Sequence, residues 1–420
     1  MAELDYWIWF SALRLRPAAR RLLLERFGGA RELFQATQGE VSALPGLSER
    51  ERKALERREL DQAAQIIERC TQEGVDILTL RDPAYPERLA AIPDAPPVLY
   101  LRGRLPAVDL EPLIAVVGTR SCTPYGEKMA AKLSYGIASA GGIVVTGLAA
   151  GVDAVAAHAA LRAGGRVVGV LGCPINQVYP RQHAALYADV AAAGALLSEY
   201  PPDAVCGADC FPARNRIMAG LSLGVLVVEA PARSGALITA HRALDYGRDV
   251  FAVPGNADAY ASRGCLRLLK EGAALAEEAW DVLADYAPRF PGKLDRKEAQ
   301  RSAPEQPDRE PEAPAEPKPG EDPVWNERTV FRLRQRTKRR KALDEAAQAA
   351  KLEELTAAQL AIVAVMERER MHIDDIVDLS ALPAATVASE LTMLQIKGCV
   401  TQHPGKRFSL NITRPGGPSQ

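Results

Sequence analysis

The sequence predicts a doubly wound α/β protein, a mostly parallel sheet covered by helices, with a helical segment before it and a winged helix after it. Three observations carry this expectation. First, between Leu113 and about Val282 six short apolar runs recur, each followed by a turn and a helical segment. They are IAVVG from Ile114, IVVTG from Ile143, VVGVLG from Val167, ALLSEY from Ala195, VLVVEA from Val225 and VFAVPG from Val250. Second, none of these runs alternates apolar with polar residues, so each reads as a strand covered on both faces, the pattern of a parallel sheet. Third, upstream of residue 80 and downstream of residue 355 the apolar residues return to helical spacing.

Taken in order, residues 1–80 read as a helical bundle. Trp7, Phe10, Leu13, Leu22, Leu23, Phe27, Leu33 and Phe34 mark its apolar face, broken by Gly28-Gly29 and by Leu44-Pro45-Gly46-Leu47. The Leu-Pro-Gly-Leu turn is of the helix-hairpin-helix or SAM-like kind, whose backbone amides can hold a phosphate, or a plain packing turn. Residues 81–286 hold the sheet. In such sheets ligands sit beyond the carboxyl ends of the strands. The candidates are therefore Gly118-Thr119-Arg120, Gly147 to Asp153, Tyr179-Pro180-Arg181, Glu199, and Glu229 to Gly235.

From Ala287 to Pro323 proline, alanine and charged residues dominate, which predicts a disordered linker continuing to residue 350. It carries a basic block, Arg328 to Lys341, suited to a nucleic-acid backbone or equally to a solvated helix. Residues 351–412 read as a winged helix with a hairpin around His403 to Lys406. Its third helix, Ala384 to Ile396, offers only Ser389, Glu390, Thr392 and Gln395 as longer or polar groups, so protein or duplex-shape contact is expected there before base readout.

With 420 residues, 47% of them hydrophobic, the chain can bury a large core in two or three domains. No apolar run approaches the roughly 20 residues that span a bilayer, and the start lacks a signal-peptide order, so no membrane association and a cytoplasmic location are expected. The seven cysteines are scattered. The close pair Cys206 and Cys210 lacks partners for a zinc site, so structural thiols and no metal are expected. A net charge of −1 means that any nucleic-acid affinity must come from a local patch.

The stretch from Phe211 to Thr239 is the richest in chemistry. FPARNRIMAGL places Arg214, Asn215 and Arg216 near a helix start after Pro212, Glu229 ends a strand, and Ser234-Gly235 opens a helix with Thr239 one turn on. Cationic side chains and free N–H groups at helix starts suit phosphate. One arginine is expected to reach phosphate while the other pairs with Glu199 or Glu229; two structural ion pairs are the alternative. Asp153 reads as a helix cap after the glycines Gly147 and Gly151, and His158 as a core histidine. The dinucleotide fingerprint G-x-G-x-x-G is absent after the first strand, where Gly118-Thr119-Arg120 stands, so no nicotinamide cofactor is expected. Neither a nucleophile with an adjacent base nor a metal cluster is visible.

VGTR, TGLAAGVD followed by AH, the YP of NQVYP, SEYPP, FPARNRIMAGL, VVEA, SGALITA, GRDVFAVPG and SRG…EGA stand in the order seen in the DprA/Smf family of DNA-processing proteins, which this chain resembles. The resemblance covers about residues 80–285. It implies an extended Rossmann-like fold that binds single-stranded DNA without a nucleotide cofactor and without being an enzyme. It further implies a homodimer that acts in natural transformation, loads RecA onto incoming strands and displaces or bypasses single-strand-binding protein. Carried onto this sequence, DNA contact is expected at Gly118, Thr119 and Arg120, at Gly147 and Gly151, at Arg181, at Arg214 to Arg216, and at Ser234, Gly235 and Thr239. The chain departs from the family pattern at Ala150, where a basic residue is usual, at Pro174 and Asn176 before YP, and at Leu266. Those departures imply weaker binding at the site or a share taken by the basic block.

Overall fold

The computed structural model describes residues 3–301, 355–366, 371–396, 399–403 and 407–410. Two compact units, residues 1–310 and 311–420, divide the chain.

The first unit begins with α1 (Glu3–Ala12), α2 (Pro17–Phe27), α3 (Ala30–Gln35), α4 (Gln38–Ser42), α5 (Glu49–Leu55) and α6 (Asp61–Glu73). Local signals set these boundaries. Pro17 sits in the first turn of α2, and Gly28 ends it at φ +80°, the left-handed conformation that glycine reaches without penalty. Thr37 with Glu40, and Ser48 with Glu51, close reciprocal capping boxes at the starts of α4 and α5. Trp7, Trp9 and Phe10 of α1 are buried, with Phe34 edge-on to Trp9.

The sheet then follows: β1 (Asp76–Thr79), α7 (Glu87–Ala90), β2 (Val98–Gly103), β3 (Leu113–Val117), α8 (Pro124–Ser139), β4 (Ile143–Thr146), α9 (Val152–Arg162), β5 (Val167–Leu171) and α10 (Ala184–Ala193). It continues with β6 (Ala195–Ser198), α11 (Cys210–Leu221), β7 (Gly224–Val227), α12 (Ala236–Asp245), β8 (Asp249–Ala252), α13 (Arg263–Lys270), β9 (Ala274–Leu275), α14 (Ala279–Leu283) and α15 (Arg296–Ala299). All six apolar runs are strands. The spatial order is β1-β2-β6-β5-β4-β3-β7-β8-β9, parallel from β6 to β9, with β2 antiparallel to β6 and β1 antiparallel to β2. Every residue of β3, β4, β5, β6 and β7 is buried, as the unbroken apolar runs require. The chain winds outward from β3 to β6 and then returns to place β7 on the other side of β3. The switch point, where such sheets hold ligands, therefore lies above β3 and β7.

Two expectations need correction. The sheet starts at Asp76, inside the segment read as purely helical, because β1 is only four residues long and gives no periodicity to read. The linker expected from residue 287 is folded as far as residue 301: Phe290 and Ala299 are buried, and the Asp295 N–H donates to the Ala140 carbonyl. The remainder of that linker, with the basic block Arg328 to Lys341, lies outside the described residues.

The second unit contains α16 (Ala357–Val365), β10 (Met371–His372), α17 (Ile373–Ser380), α18 (Ala384–Ile396), β11 (Val400–His403) and β12 (Arg407–Leu410), with strands ordered β10-β12-β11. Among the described residues, three helices and a three-stranded wing form a winged helix. Its core is Ile362, Val363, Met366, Ile376, Val387, Leu391 and Leu394. On α18 the Glu390 carboxylate accepts from Gln359 Nε2 at 2.6 Å and the Thr392 hydroxyl donates to the Ala388 carbonyl, so both polar side chains are engaged within the unit.

Candidate functional site

The loops after β3, β4, β5, β7 and β8 lie at one edge of the sheet because their strands are parallel. They fall into a buried frame and an exposed rim.

The frame begins with α11. This helix starts at Cys210, so Arg214, Asn215 and Arg216 lie inside it and not at its entry. At about 100° per residue the two arginines point to opposite sides. Arg214, 5% exposed, passes beneath the site and donates from Nη1 to the Gly147 carbonyl at 2.8 Å and to the Val170 carbonyl. A Cβ on Gly147 would run into that guanidinium, which is why the loop carries glycine there. Arg216, 9% exposed, pairs with Glu199 at 2.6 Å and with Asp94 at 3.6 Å. Asn215, also buried, donates from Nδ2 to the Gly235 carbonyl at 3.4 Å and so braces the turn before α12. Neither alternative left by the sequence is met in full: Arg216 pairs with Glu199, whereas Arg214 is held by two backbone carbonyls, and no phosphate could reach Arg214 as it stands.

Asp153 belongs to the same frame. The cap position of α9 is Gly151, at φ +77°, whose missing Cβ leaves room for the Thr119 and Arg120 backbone. The Asp153 carboxylate instead lies buried beneath the loop and accepts the Gly147 N–H at 3.2 Å. Burial pushes its pKa up, while the Arg214 charge and the Ala149 and Gly147 N–H groups pull it down. Glu229 is equally inward. It accepts from the Thr123 N–H at 2.8 Å and the Thr123 hydroxyl at 2.6 Å, and Thr123 caps α8 by accepting from Gly126. The Thr119 N–H donates to the Glu229 carbonyl and the Val152 N–H to the Thr119 carbonyl, so three loops are tied together beside Gly118. Thr239 is 1% exposed on α12 and cannot serve as a surface contact.

The rim is where charge and aromatic area are presented. Arg120 is exposed, and its guanidinium carbon lies 5.5 Å from the Phe211 ring centroid. Phe211 in turn lies 5.1 Å from Tyr179, which precedes Pro180 through a cis peptide bond and is followed by the exposed Arg181. His183 Nδ1 donates to the Leu148 carbonyl at 3.0 Å, joining the β5 loop to the β4 loop. Across the switch point the half-buried Ser234 accepts the Ala236 N–H at 3.3 Å, and Gly235 faces open space. His158 is exposed and not in the core, because the residues of α9 on its side face outward.

Sequence reasoning missed Phe211, Tyr260 and Arg263 on the rim, and reached Arg233 only within the range Glu229 to Gly235. Arg233 is exposed beside Ser234, and the Arg263 guanidinium stacks 5.8 Å from the ring of Tyr260, which is 66% exposed. The signal was legible: an aromatic residue and an arginine three apart in the loop after a parallel strand. Among the described residues no group of three or more His, Cys, Asp or Glu is placed to hold a metal, and no helix is long and apolar enough to cross a membrane.

The fold and the rim define an extended Rossmann-like protein whose strand-end loops carry arginines and stacked aromatics in place of a dinucleotide fingerprint. The family described as DNA recombination-mediator protein A matches residues 76–287, and the DprA winged helix domain matches residues 346–406. Protein Smf of Synechocystis is 34% identical over 97% of this chain and 98% of its own length. The DNA processing protein DprA of Streptococcus pneumoniae is 42% identical over 50% of this chain and 73% of its own. An X-ray structure of the latter superposes with a TM-score of 0.60 at 34% identity, covering 67% of this chain and 97% of that one. The chain belongs to the DprA/Smf family of DNA-processing proteins.

Proposed function

We propose that this protein binds single-stranded DNA along the rim of the sheet, protects incoming strands during natural transformation and hands them to RecA. In this reading it works as a homodimer, displaces or bypasses single-strand-binding protein, and binds without cleaving. The observation that carries the reading is a row in which exposed Arg120 and Arg181 flank the half-buried, stacked rings of Phe211 and Tyr179. A single strand offers unpaired base faces and a flexible backbone, and stacked aromatics flanked by guanidiniums suit both. A duplex hides its base faces and gains only the phosphate contacts. Arg233 and Ser234-Gly235 continue the phosphate track across the switch point, and Tyr260 with Arg263 offer a second stacking place. Gly118, Thr119, Gly147 and Gly151 shape the loops for close backbone approach, while Arg214, Asn215 and Arg216 hold those loops in place.

A gel shift with oligo-dT against a duplex of the same length tests the reading. The single strand should bind more tightly, with affinity falling steeply as salt rises. Equal binding of the two would refute it. Handover is read separately, by RecA filament formation on oligo-dT already coated with single-strand-binding protein; no acceleration by the protein would refute that step.

A further inference from the structure

The loop between β6 and α11 places two half-buried cysteines together one residue before the stacked Phe211. Cys210 opens α11, and its N–H donates to the Gly207 carbonyl at 3.1 Å, which folds the chain back so that Cys206 comes against it. The Cys206 thiol and the Tyr200 hydroxyl are neighbours of Cys210 Sγ, near enough to bias its charge state. We propose that Cys206 and Cys210 form a reversible disulfide whose closure reshapes the Phe211 platform and weakens single-strand binding.

Several facts set this pair apart from the other thiols. The Cys206 thiol first, and then the Tyr200 hydroxyl, pull the Cys210 thiol below its ordinary range, which favours its thiolate. Burial pushes the others up: Cys70 and Cys173 to about 11, Cys265 to about 12, and Cys122 in the same direction. Access is open, because Val205, Gly207, Ala208 and Asp209 around the pair are exposed. The chemistry balances with a peroxide as the oxidant class. The Cys210 thiolate attacks one peroxide oxygen, the O–O bond breaks and hydroxide leaves, giving a sulfenic acid. Cys206 sulfur then attacks the Cys210 sulfur, the S–O bond breaks, and the Cys206 proton leaves with the departing oxygen as a second water. Two thiols are oxidised, one peroxide is reduced, and a dithiol reverses the change. The consequence for binding follows from continuity of the chain: Cys210 and Phe211 share the first turn of α11, and Phe211 holds both Arg120 and Tyr179.

The disulfide rests on the placement and chemistry of the two thiols, whereas the loss of binding rests on the function proposed above. The full chain is treated with hydrogen peroxide, and intact mass and peptide mapping are read beside an oligo-dT titration. The expected results are loss of two hydrogens mapped to a 206–210 cross-link, and affinity roughly tenfold weaker, the scale of one lost base stack, with dithiothreitol restoring both. Cys206→Ser should bind as the parent does when reduced, keep its affinity in peroxide and yield a dimedone-trapped sulfenic acid at Cys210. Cys210→Ser should yield neither product. Absence of the 206–210 cross-link overturns the proposal, and a cross-link that leaves affinity unchanged overturns its regulatory half. Failure of the reduced protein to bind oligo-dT would instead refute the proposed function, while the mass result still decides the disulfide.

Discussion

Arg214→Met separates a frame residue from a contact residue. The substitution keeps the length and apolar stem of the side chain but removes a guanidinium that is 5% exposed. Two carbonyls, Gly147 and Val170, lose their donor, and the buried Asp153 carboxylate loses its nearby positive charge. Leaving two buried carbonyls without their donor and a buried carboxylate without its neighbouring charge costs about 3–5 kcal/mol, because those groups stay desolvated. At about 2–4 °C per kcal/mol for a domain of this size, the melting temperature should fall by about 10 °C. Thermal unfolding followed by far-UV circular dichroism reads this directly. Adding Asp153→Asn removes the stranded charge, so the double variant should recover part of the loss, the signature of coupled sites. A melting temperature within about 2 °C of the parent, together with lost oligo-dT binding, would refute the reasoning and return Arg214 to the contact surface.

Three further outcomes follow from the same geometry. Arg120→Ala should leave the melting temperature unchanged, weaken oligo-dT binding roughly fivefold and lower the salt slope by about 0.7, the value of one single-strand phosphate contact; a salt titration by fluorescence anisotropy checks it. Gly151→Ala should destabilise by more than about 1 kcal/mol, since φ is +77° and the new Cβ would meet the Thr119 and Arg120 backbone, whereas Gly235→Ala, facing open space, should melt as the parent does. Glu51 accepts from Arg16 Nε at 2.9 Å and from the Arg16 and Ser48 N–H groups, and the Arg16 guanidinium chiefly holds its carboxyl well below the usual range. That stability is fully present above about pH 4.3, the unfolded value, and is lost as pH falls toward the lower folded one. Glu51→Gln should cost roughly 1–2 kcal/mol at pH 7, discounted because Arg16 is mostly solvent-exposed, and should show a shallower loss of melting temperature between pH 5 and pH 3.

How much of this was legible in the sequence depends on distance along the chain. The six buried strands announced themselves because a strand covered on both faces has no polar positions to hide. The β1–β2 ribbon did not, since four residues such as Asp76–Thr79 carry no period, and their place is set by pairing with Val98–Leu101 farther along the chain. At the site, Arg120 and Arg181 were readable from their position just after strands. The fates of Arg214 and Arg216 were not, because they turn on which carbonyls and carboxylates α11 meets: Gly147 and Val170 on one side, Glu199 and Asp94 on the other. Phe211 went unnoticed for the same reason, since a stack with Arg120 exists only once the β3 loop and α11 are brought together.

The central claim is that the rim of the sheet holds the single strand, and photocrosslinking with 4-thiothymidine-substituted oligo-dT tests it most directly. Peptide mapping of the full chain should place the adducts on Tyr179 and Phe211, with lesser labelling at Tyr260. Adducts confined to residues 302–354 or to the winged helix, with the strand-end loops unlabelled, would contradict the account.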